Sequence, residues 1–273
     1  MSEAAESAPA PGLRGYLQAI GARVRAALAA VTDTVAVIVA VLRQSLRLLT
    51  WRRTVRAEFL YHSYTVGVRG VPAAVVTALV VGLAGVAQAL YWLELAGQGG
   101  LIGQVLVLVV VREIAPLVVT FIVIGRSGSV MLVQLGRMQS QGDLRALDAM
   151  GLDPLLYLLV PRTLALALAT FCLSIVFLAT CMLSGYVAAQ LLGLTAETPG
   201  DFVGQVLGAM YPADFAIVPF KTLLSGFAVG LVMCLTALSP AGAGAGPEEW
   251  LPVGFVASVL VTLLISVAGS LLL

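Results

Sequence analysis

Two charged residues, Arg112 and Glu113, stand side by side in the apolar run VLVLVVVREIAPLVV. A charge at the centre of a membrane costs about 2.5–3.5 kcal/mol on insertion scales, so both side chains should face protein or water. Pro116 has no N–H to donate and its ring crowds the carbonyl of Arg112, which is freed as a result. Two interpretations follow. The kink at Pro116 beside the two charges is a gating element, or Arg112 and Glu113 form a structural ion pair with another helix.

A second polar stretch covers residues 125–154, GRSGSVMLVQLGRMQSQGDLRALDAMGLDP. Two sets of residues recur in it at helical spacing, one polar and one apolar: Arg137, Gln141, Arg145 and Asp148, and Leu144, Leu147 and Met150. Spacings of three and four place side chains on one helix face. The pattern predicts an amphipathic helix over about 137–152, ending at Gly151 and Pro154. Its mixed charges favour a protein partner, because headgroup contact favours a more basic face; a solvated loop is the alternative.

The sequence holds no complete set of catalytic or nucleotide-binding residues of the kinds considered. The GRSG at 125–128 resembles the serine motif of intramembrane proteases, but the chain has a single histidine, His62, upstream near the membrane. A P-loop needs G-x-x-x-x-G-K-[ST], and the only lysine, Lys221, lacks those glycines. The three cysteines lie in apolar runs without metal-ligand spacing: Cys172, Cys181 and Cys234. We expect no catalytic residue, no metal and no cofactor in this chain, so ATP hydrolysis would need another chain.

The composition is that of a membrane protein, so membrane-spanning helices must position these polar residues. The 273 residues are 60% hydrophobic and 11% charged, against about 25% charged in soluble chains, and the mean hydropathy is +1.03. The fold class is an all-α, polytopic helical membrane protein. A net charge of +1 gives no support to a nucleic-acid partner.

Five apolar stretches are long enough to cross a bilayer, which takes about 20 residues. They are Val71–Leu93, Leu101–Ile124, Leu155–Leu192, Phe215–Leu238 and Leu251–Leu273. The third is too long for one upright span, and we expect a tilted helix with a broken end around 185–193. The segment 195–214 is predicted to be an outer loop, since it holds acidic and no basic residues.

The N-terminal part carries most of the positive charge. Of fifteen Lys and Arg residues, nine precede Val71, which places the N-terminus in the cytoplasm and the C-terminus outside. We expect a disordered tail over 1–12 and a cytoplasmic or interfacial amphipathic region over 13–70, with an inserted helix at 26–42 as an alternative. Residues 71–273 form the transmembrane domain. The loop 239–251 is atypical of a cytoplasmic loop, because it holds Glu248 and Glu249 and no basic residue.

The stretch from residue 108 to 165 resembles the signature of the MlaE/YrbE permeases, membrane subunits of ABC systems that move lipids between bacterial membranes. The residues that match the family pattern are Arg112, Glu113, Pro116, Gly125, Arg126, Gly128, Ser129, Gly136, Met138, Ala146, Leu147, Met150, Gly151, Asp153, Pro154, Pro161 and Arg162. Upstream, EFLYHSYTVGVRG and the following span are also similar, including Gly67, Gly82 and Gln88.

The resemblance implies an N-terminal interfacial helix, five transmembrane helices and a location in the bacterial inner membrane. It implies a second permease copy as a homodimer, a cytoplasmic ATPase dimer that holds ATP and Mg, a periplasmic MCE-domain protein, a small STAS-type subunit and a phospholipid substrate. The stretch at 137–152 would be the coupling helix, with contacts from Arg137, Arg145, Leu147, Asp148, Met150, Gly151, Asp153 and Pro154. A lipid path would pass Gly82, Gln88 and Lys221.

Three departures from the family pattern affect the expected partners. Gln134 stands where the family has Glu, Gly142 and Asp143 replace an acidic pair, and SPAGAGAGPEEWLP replaces a basic segment. A divergent ATPase or a non-identical second permease would fit these changes. The alternatives from other classes are an ion-coupled secondary transporter, which would normally show two related halves, and a structural scaffold for an MCE-domain partner.

Overall fold

A computed structural model describes residues 25, 32, 36–45, 53–151, 155–193, 198–238 and 247–271, and every regular element in these ranges is a helix. Helix α1, Ala36–Ser45, lies in a first unit that ends at Leu46, and the other helices lie in a second unit. The predicted tail 1–12, most of the region 13–52 and the loop residues 239–246 lie outside the described residues. Asp153, Pro154 and Glu197 do so as well.

Seven helices are described in the second unit, and five of them are long and apolar enough to cross a membrane. In chain order they are α2 (Arg53–Leu95), α3 (Gly99–Gln141), α4 (Asp143–Ala149), α5 (Val160–Leu191), α6 (Pro199–Ala209), α7 (Asp214–Ala237) and α8 (Pro247–Leu271). The spanning helices are α2, α3, α5, α7 and α8, so the five predicted spans are confirmed. At 1.5 Å per residue, the 43 residues of α2 or of α3 exceed the ~30 Å core of a bilayer.

The first two spanning helices are not uniform α-helices. In α2, a 3₁₀ turn and a π-helical turn separate three α-helical segments: Arg53–Val66, Val68–Gly70, Val71–Val81, Gly82–Val86 and Ala87–Leu95. In α3, two π-helical stretches follow an initial 3₁₀ turn: Gly99–Leu101, Ile102–Leu106, Val107–Ile114, Ala115–Val123, Ile124–Gly128 and Ser129–Gln141. A further π turn, Leu155–Leu159, leads into α5. Such π turns within helices are frequent at functional sites, and the longest one contains Arg112 and Glu113.

Helix α5 is the centre of the bundle, and glycines bring α2 and α7 close to it. A side chain at Gly82 would collide with Ser184 and the Cys181 carbonyl, and one at Gly185 would collide with Val86. Small residues allow this close approach where apolar lipid gives helices little reason to associate. The end of α5 was predicted to be broken around 185–193. The helix instead continues unbroken through Gly185, which serves packing, and ends at Leu191, before Gly193, whose φ is +68°.

The predicted single helix over 137–152 is interrupted at Gly142. This glycine has φ +82°, a left-handed conformation that ends α3 at Gln141. Arg137 therefore belongs to α3, while Arg145, Leu147 and Asp148 belong to the seven-residue α4. The predicted stop at Gly151 agrees with its φ of +75°.

Helix α6 lies in the segment that the sequence predicts as a loop. Thr198 caps its N-terminus by accepting a hydrogen bond from the Asp201 backbone N–H at 3.3 Å, and Pro199 occupies the first turn. Both are usual features of a helix start. The helix packs on the beginning of α3, where Gly103 leaves room for the Gln205 carbonyl.

The last helix is anchored to α3 by Trp250. Its indole ring occupies the space where a side chain at Gly136 would stand, and Trp250 is buried although it belongs to the predicted atypical loop. Gly254, one turn further on, makes room in the same way for Leu132 of α3. The α3–α8 contact thus depends on two glycines, one on each helix.

A Gly136→Val substitution is expected to destabilise the protein by about 1–3 kcal/mol, because overpacking forces side chains off their rotamers and shifts backbone. The thermal midpoint of the purified protein in detergent measures this. Gly208→Val is the matched control, since nothing lies within 4 Å of a Cβ at Gly208. Equal midpoints for Gly136→Val and the unmodified protein would contradict the Trp250 contact.

Candidate functional site: a charged cluster between three helices

The guanidinium group of Arg112 on α3 pairs with Asp214 at the start of α7. Its Nε lies 2.8 Å from Oδ1 of Asp214, and its Nη2 donates to Oδ2 at 2.9 Å. The backbone N–H of Tyr211 also donates to Oδ2 at 2.9 Å, and the Tyr211 ring lies 5.8 Å from the guanidinium carbon. One hydrogen bond, from Nη2 to Oδ2, therefore joins the two groups, while Nε and Oδ1 lie at ion-pair distance without hydrogen-bond geometry.

The carboxylate of Glu113 pairs with Lys221 on α7 and with two serines on α8. Lys221 Nζ lies 2.9 Å from Oε1, Ser266 donates to Oε2 at 2.7 Å, and Ser270 donates to Oε1. Glu113 is therefore the residue that connects α3 to two other spanning helices.

Lys221 also satisfies the carbonyl that Pro116 leaves free. Its Nζ donates to the Arg112 carbonyl oxygen at 2.9 Å. Residue 116 cannot supply the usual i+4 amide to that oxygen, because proline has no N–H. An ammonium group from another helix thus donates to the carbonyl that proline at position 116 cannot serve.

Local helix geometry brings these groups together. Arg112 and Glu113 lie in the π stretch Val107–Ile114, whose wider turns change the direction of neighbouring side chains relative to an α-helix. Asp214 and Lys221 are seven residues apart on α7, which is close to two turns and so the same face. The stem of Lys221 passes over Gly269 of α8, where a Cβ would lie 3.1 Å from Cδ.

We call Arg112, Glu113, Asp214 and Lys221 the charged cluster. Their side chains are 13%, 35%, 0% and 3% exposed, in that order. Two acidic and two basic groups give the cluster no net formal charge, which limits the cost of burying it. Glu113 is the most exposed member of the cluster.

The structure unites four of the predicted residues, Arg112, Glu113, Pro116 and Lys221, and adds partners that sequence reasoning missed. The missed partners are Asp214, Ser266 and Ser270. Two residues of the predicted lipid path lie elsewhere: Gly82 is in the close contact between α2 and α5, and Gln88 is exposed on α2. Gly82 thus has a packing role in this structure.

The predicted coupling residues lie on the surface. Arg137, Arg145, Asp148 and Met150 are exposed, and Leu147 is half-buried. Met150 is 66% exposed, which is high for a large apolar side chain and leaves it free to enter a partner's pocket. None of the residues of α4 is buried in this chain.

No serine–histidine pair is formed by the GRSG motif in the described part of the chain. His62 Nε2 lies 3.1 Å from Oε1 of Glu58, which also accepts from Arg162 at 3.4 Å, and no hydrogen bond joins His62 to Ser127. Groups of three or more His, Cys, Asp or Glu that could hold a metal are absent from these residues.

A Glu113→Ala substitution is expected to cost about 1–3 kcal/mol, because it leaves the buried Lys221 ammonium with a carbonyl as its remaining partner. The cost is moderated by the partial exposure of Glu113, which lets water reach the site. Glu113→Gln keeps an acceptor for both serines and is the milder control. The thermal midpoint in detergent should be highest for the unmodified protein, lower for Glu113→Gln and lowest for Glu113→Ala. Identical midpoints would mean that the Glu113–Lys221 pair contributes nothing to stability.

Apolar helices that can span a membrane, joined by buried ion pairs that cross from one helix to the next, define a multi-pass membrane protein. A family model described as Permease MlaE matches residues 59–272. The chain belongs to this family, and it is a membrane permease.

Individual relatives agree with the family assignment. The chain is 30% identical to the probable ABC transporter permease protein slr1045 of Synechocystis, over 75% of this chain and 77% of that protein. It is 27% identical to the chloroplastic protein TRIGALACTOSYLDIACYLGLYCEROL 1 of Arabidopsis thaliana, over 73% and 55% of the two chains. The intermembrane phospholipid transport system permease protein MlaE of Haemophilus influenzae is 35% identical over 29% of this chain and 30% of that protein.

Proposed function

We propose that this chain is the permease subunit of an ABC system that moves phospholipids, or related lipids, between the inner and outer membranes of a bacterium. The observation that carries the proposal is the charged cluster, which lies within the matched region 59–272. Charged residues inside membrane spans are costly and usually mark a pathway or a moving element. A relative whose name states intermembrane phospholipid transport supports the choice of substrate.

Energy would reach the permease through α4. This short helix and Met150 project exposed side chains of both charges and one large apolar residue, which is the chemistry of a protein interface. The proposed partner is a cytoplasmic ATPase dimer that binds ATP and Mg. This chain has no P-loop sequence, so we expect no ATP hydrolysis from it alone.

The remaining assembly follows the same proposal. Arginines at the start of α2 and near α4, namely Arg53, Arg56, Arg137 and Arg145, favour a cytoplasmic location for that end of the bundle. The N-terminus would then lie inside and the C-terminus in the periplasm. A second permease copy, a periplasmic MCE-domain protein and a small STAS-type subunit would complete the system.

Reconstitution tests the proposed function. The permease, co-purified with its ATPase and periplasmic partner, is placed in vesicles that contain a fluorescent phospholipid, and transfer to acceptor vesicles is followed with and without ATP. We expect ATP-dependent transfer that is lost in Glu113→Ala, a variant in which the ATPase should remain bound. Transfer that runs on an ion gradient without ATP would instead support a secondary transporter, and an assembled but inactive complex would support a scaffold.

A further inference from the structure

A small basic pocket lies between α2, α3 and α5, and none of its lining residues belongs to the charged cluster. It has a volume of about 240 Å³, below the ~300–1,000 Å³ of a site for a whole drug-sized ligand. Its polar lining comes from Arg69, Arg126, Ser127, Thr65 and Gln134. His62 and the exposed ring of Tyr61 lie at its wall.

The two arginines have no carboxylate partner among the described residues. The ion pairs found there use Glu58, Glu113 and Asp214, and none of these acids lines the pocket. Arg69 is held over the Tyr64 ring, with its guanidinium carbon 5.9 Å from the ring centroid. Arg126 Nη1 is buried and has no hydrogen-bond partner. A buried donor without a partner is unfavourable, and an anionic acceptor in the pocket would satisfy it while pairing with both arginine charges.

The position of the pocket along the spans indicates the source of that anion. Arg69 directly precedes the apolar run 71–93, and Arg126 directly follows the run 101–124. Arg126 Nη1 lies only 3.4 Å from where a Cβ at Gly70 would stand, so both arginines are at one level of the bundle. The boundary of an apolar span is the level of lipid headgroups, and Tyr61 and Tyr64 are the aromatic residues typical of that level.

We propose that this pocket binds the phosphate of a phospholipid headgroup from the leaflet at that end of the bundle. Two guanidinium groups can bind phosphate oxygens through paired N–H donors, and basic pockets between spanning helices are suited to lipid headgroups. The volume fits a headgroup and leaves the acyl chains in the surrounding membrane. The site is separate from the charged cluster, and it does not require the chain to transport lipid.

Lipid binding by the full-length chain in detergent tests the proposal. Native mass spectrometry would follow titration with dioleoylphosphatidylglycerol, with dioleoylglycerol, which has the same chains without phosphate, and with inorganic phosphate. We expect saturable binding of the phospholipid alone. Arg69→Gln combined with Arg126→Gln should weaken it by about tenfold or more, the effect of losing one or two charge-assisted hydrogen bonds.

The matched control is Arg53→Gln combined with Arg56→Gln, which removes the same charge from exposed arginines of α2 outside the pocket. Unchanged phospholipid binding in the pocket variant would overturn the proposal. An equal loss of binding in the pocket and control double variants would also overturn it, because it would mean that the lipid is attracted by positive charge in general and not by this pocket. Displacement of the phospholipid by equimolar inorganic phosphate would mean that the pocket binds free phosphate, and it would overturn the proposal that the bound anion comes from a lipid headgroup. If the pocket variant is unstable, Arg126→Lys carries the test: it keeps the charge without the planar fork, and several-fold weaker binding is expected.

Because the readout is binding, this test is independent of the proposed transport activity. If the permease binds the phospholipid in this pocket but transfers no lipid, the proposed site stands and the proposed function is refuted. The opposite result, ATP-dependent transfer without binding at the arginines, would refute the site alone.

Discussion

An Asp214→Ala variant is expected to lose about 3–5 kcal/mol of stability, the cost of removing one partner from a buried ion pair. Asp214 is fully buried, its carboxylate forms an ion pair with Arg112, and Oδ2 accepts hydrogen bonds from Arg112 Nη2 and from the Tyr211 backbone N–H. Without it, a guanidinium that is 13% exposed has no opposite charge beside it. The yield of monodisperse protein in detergent and its thermal midpoint should both fall sharply.

A paired substitution separates lost charge compensation from lost packing. Arg112→Met combined with Asp214→Leu removes both charges and keeps apolar bulk, and replacing a whole buried pair in this way is often neutral for stability. We expect the double variant to regain most of the midpoint lost in Asp214→Ala while remaining inactive in lipid transfer. A double variant less stable than Asp214→Ala would mean that the pair is not the source of the effect.

Changing Leu147 and Met150 together to Asp is expected to reduce co-purification of the ATPase by about tenfold or more, while the permease stays in the membrane. Charges buried without partners at the centre of an interface are strongly unfavourable. Both residues are accessible at or beside α4, with Met150 66% exposed, so the change should not disturb the bundle. Affinity purification of the tagged permease, followed by quantification of the bound ATPase, measures the effect.

Leu191→Asp combined with Leu192→Asp is the matched control for α4. These leucines are 82% and 66% exposed and lie at the far end of the 32-residue α5, about 48 Å from its start. Undiminished ATPase binding in the α4 variant would refute the coupling role. Loss of the permease from the membrane, with the ATPase still bound to what remains, would indicate headgroup contact instead.

The spanning helices could be predicted because their signal is the length of apolar runs, which does not depend on tertiary contacts. The freed carbonyl of Arg112 was also predictable, since it follows from the covalent structure of proline at position 116. Helix α6 could have been predicted from Thr198 and Pro199, a cap and a first-turn residue in sequence. The acidic residues of that segment instead favoured a loop.

Other features needed the packed structure. One helical periodicity runs through Arg137, Gln141 and Arg145 in the sequence. Only the left-handed backbone at Gly142 shows that these residues are divided between two helices, α3 and α4. Asp214 was predicted to lie in the outer loop because the segment 195–214 holds acidic and no basic residues. Its pairing with Arg112, 102 residues earlier, depends on which faces of α3 and α7 meet, and no local pattern contains that information.

The balance of charges in the cluster has an electrical consequence. An elementary charge that crosses the membrane field gains or loses about 2.3 kcal/mol per 100 mV. The formal charges of Arg112, Glu113, Asp214 and Lys221 sum to zero, so a shift of the whole group along the membrane normal does no net work against that field. A voltage change should therefore leave the conformational equilibrium of the cluster almost unaltered. Any rearrangement that moved these four residues together would thus be insensitive to changes in membrane potential.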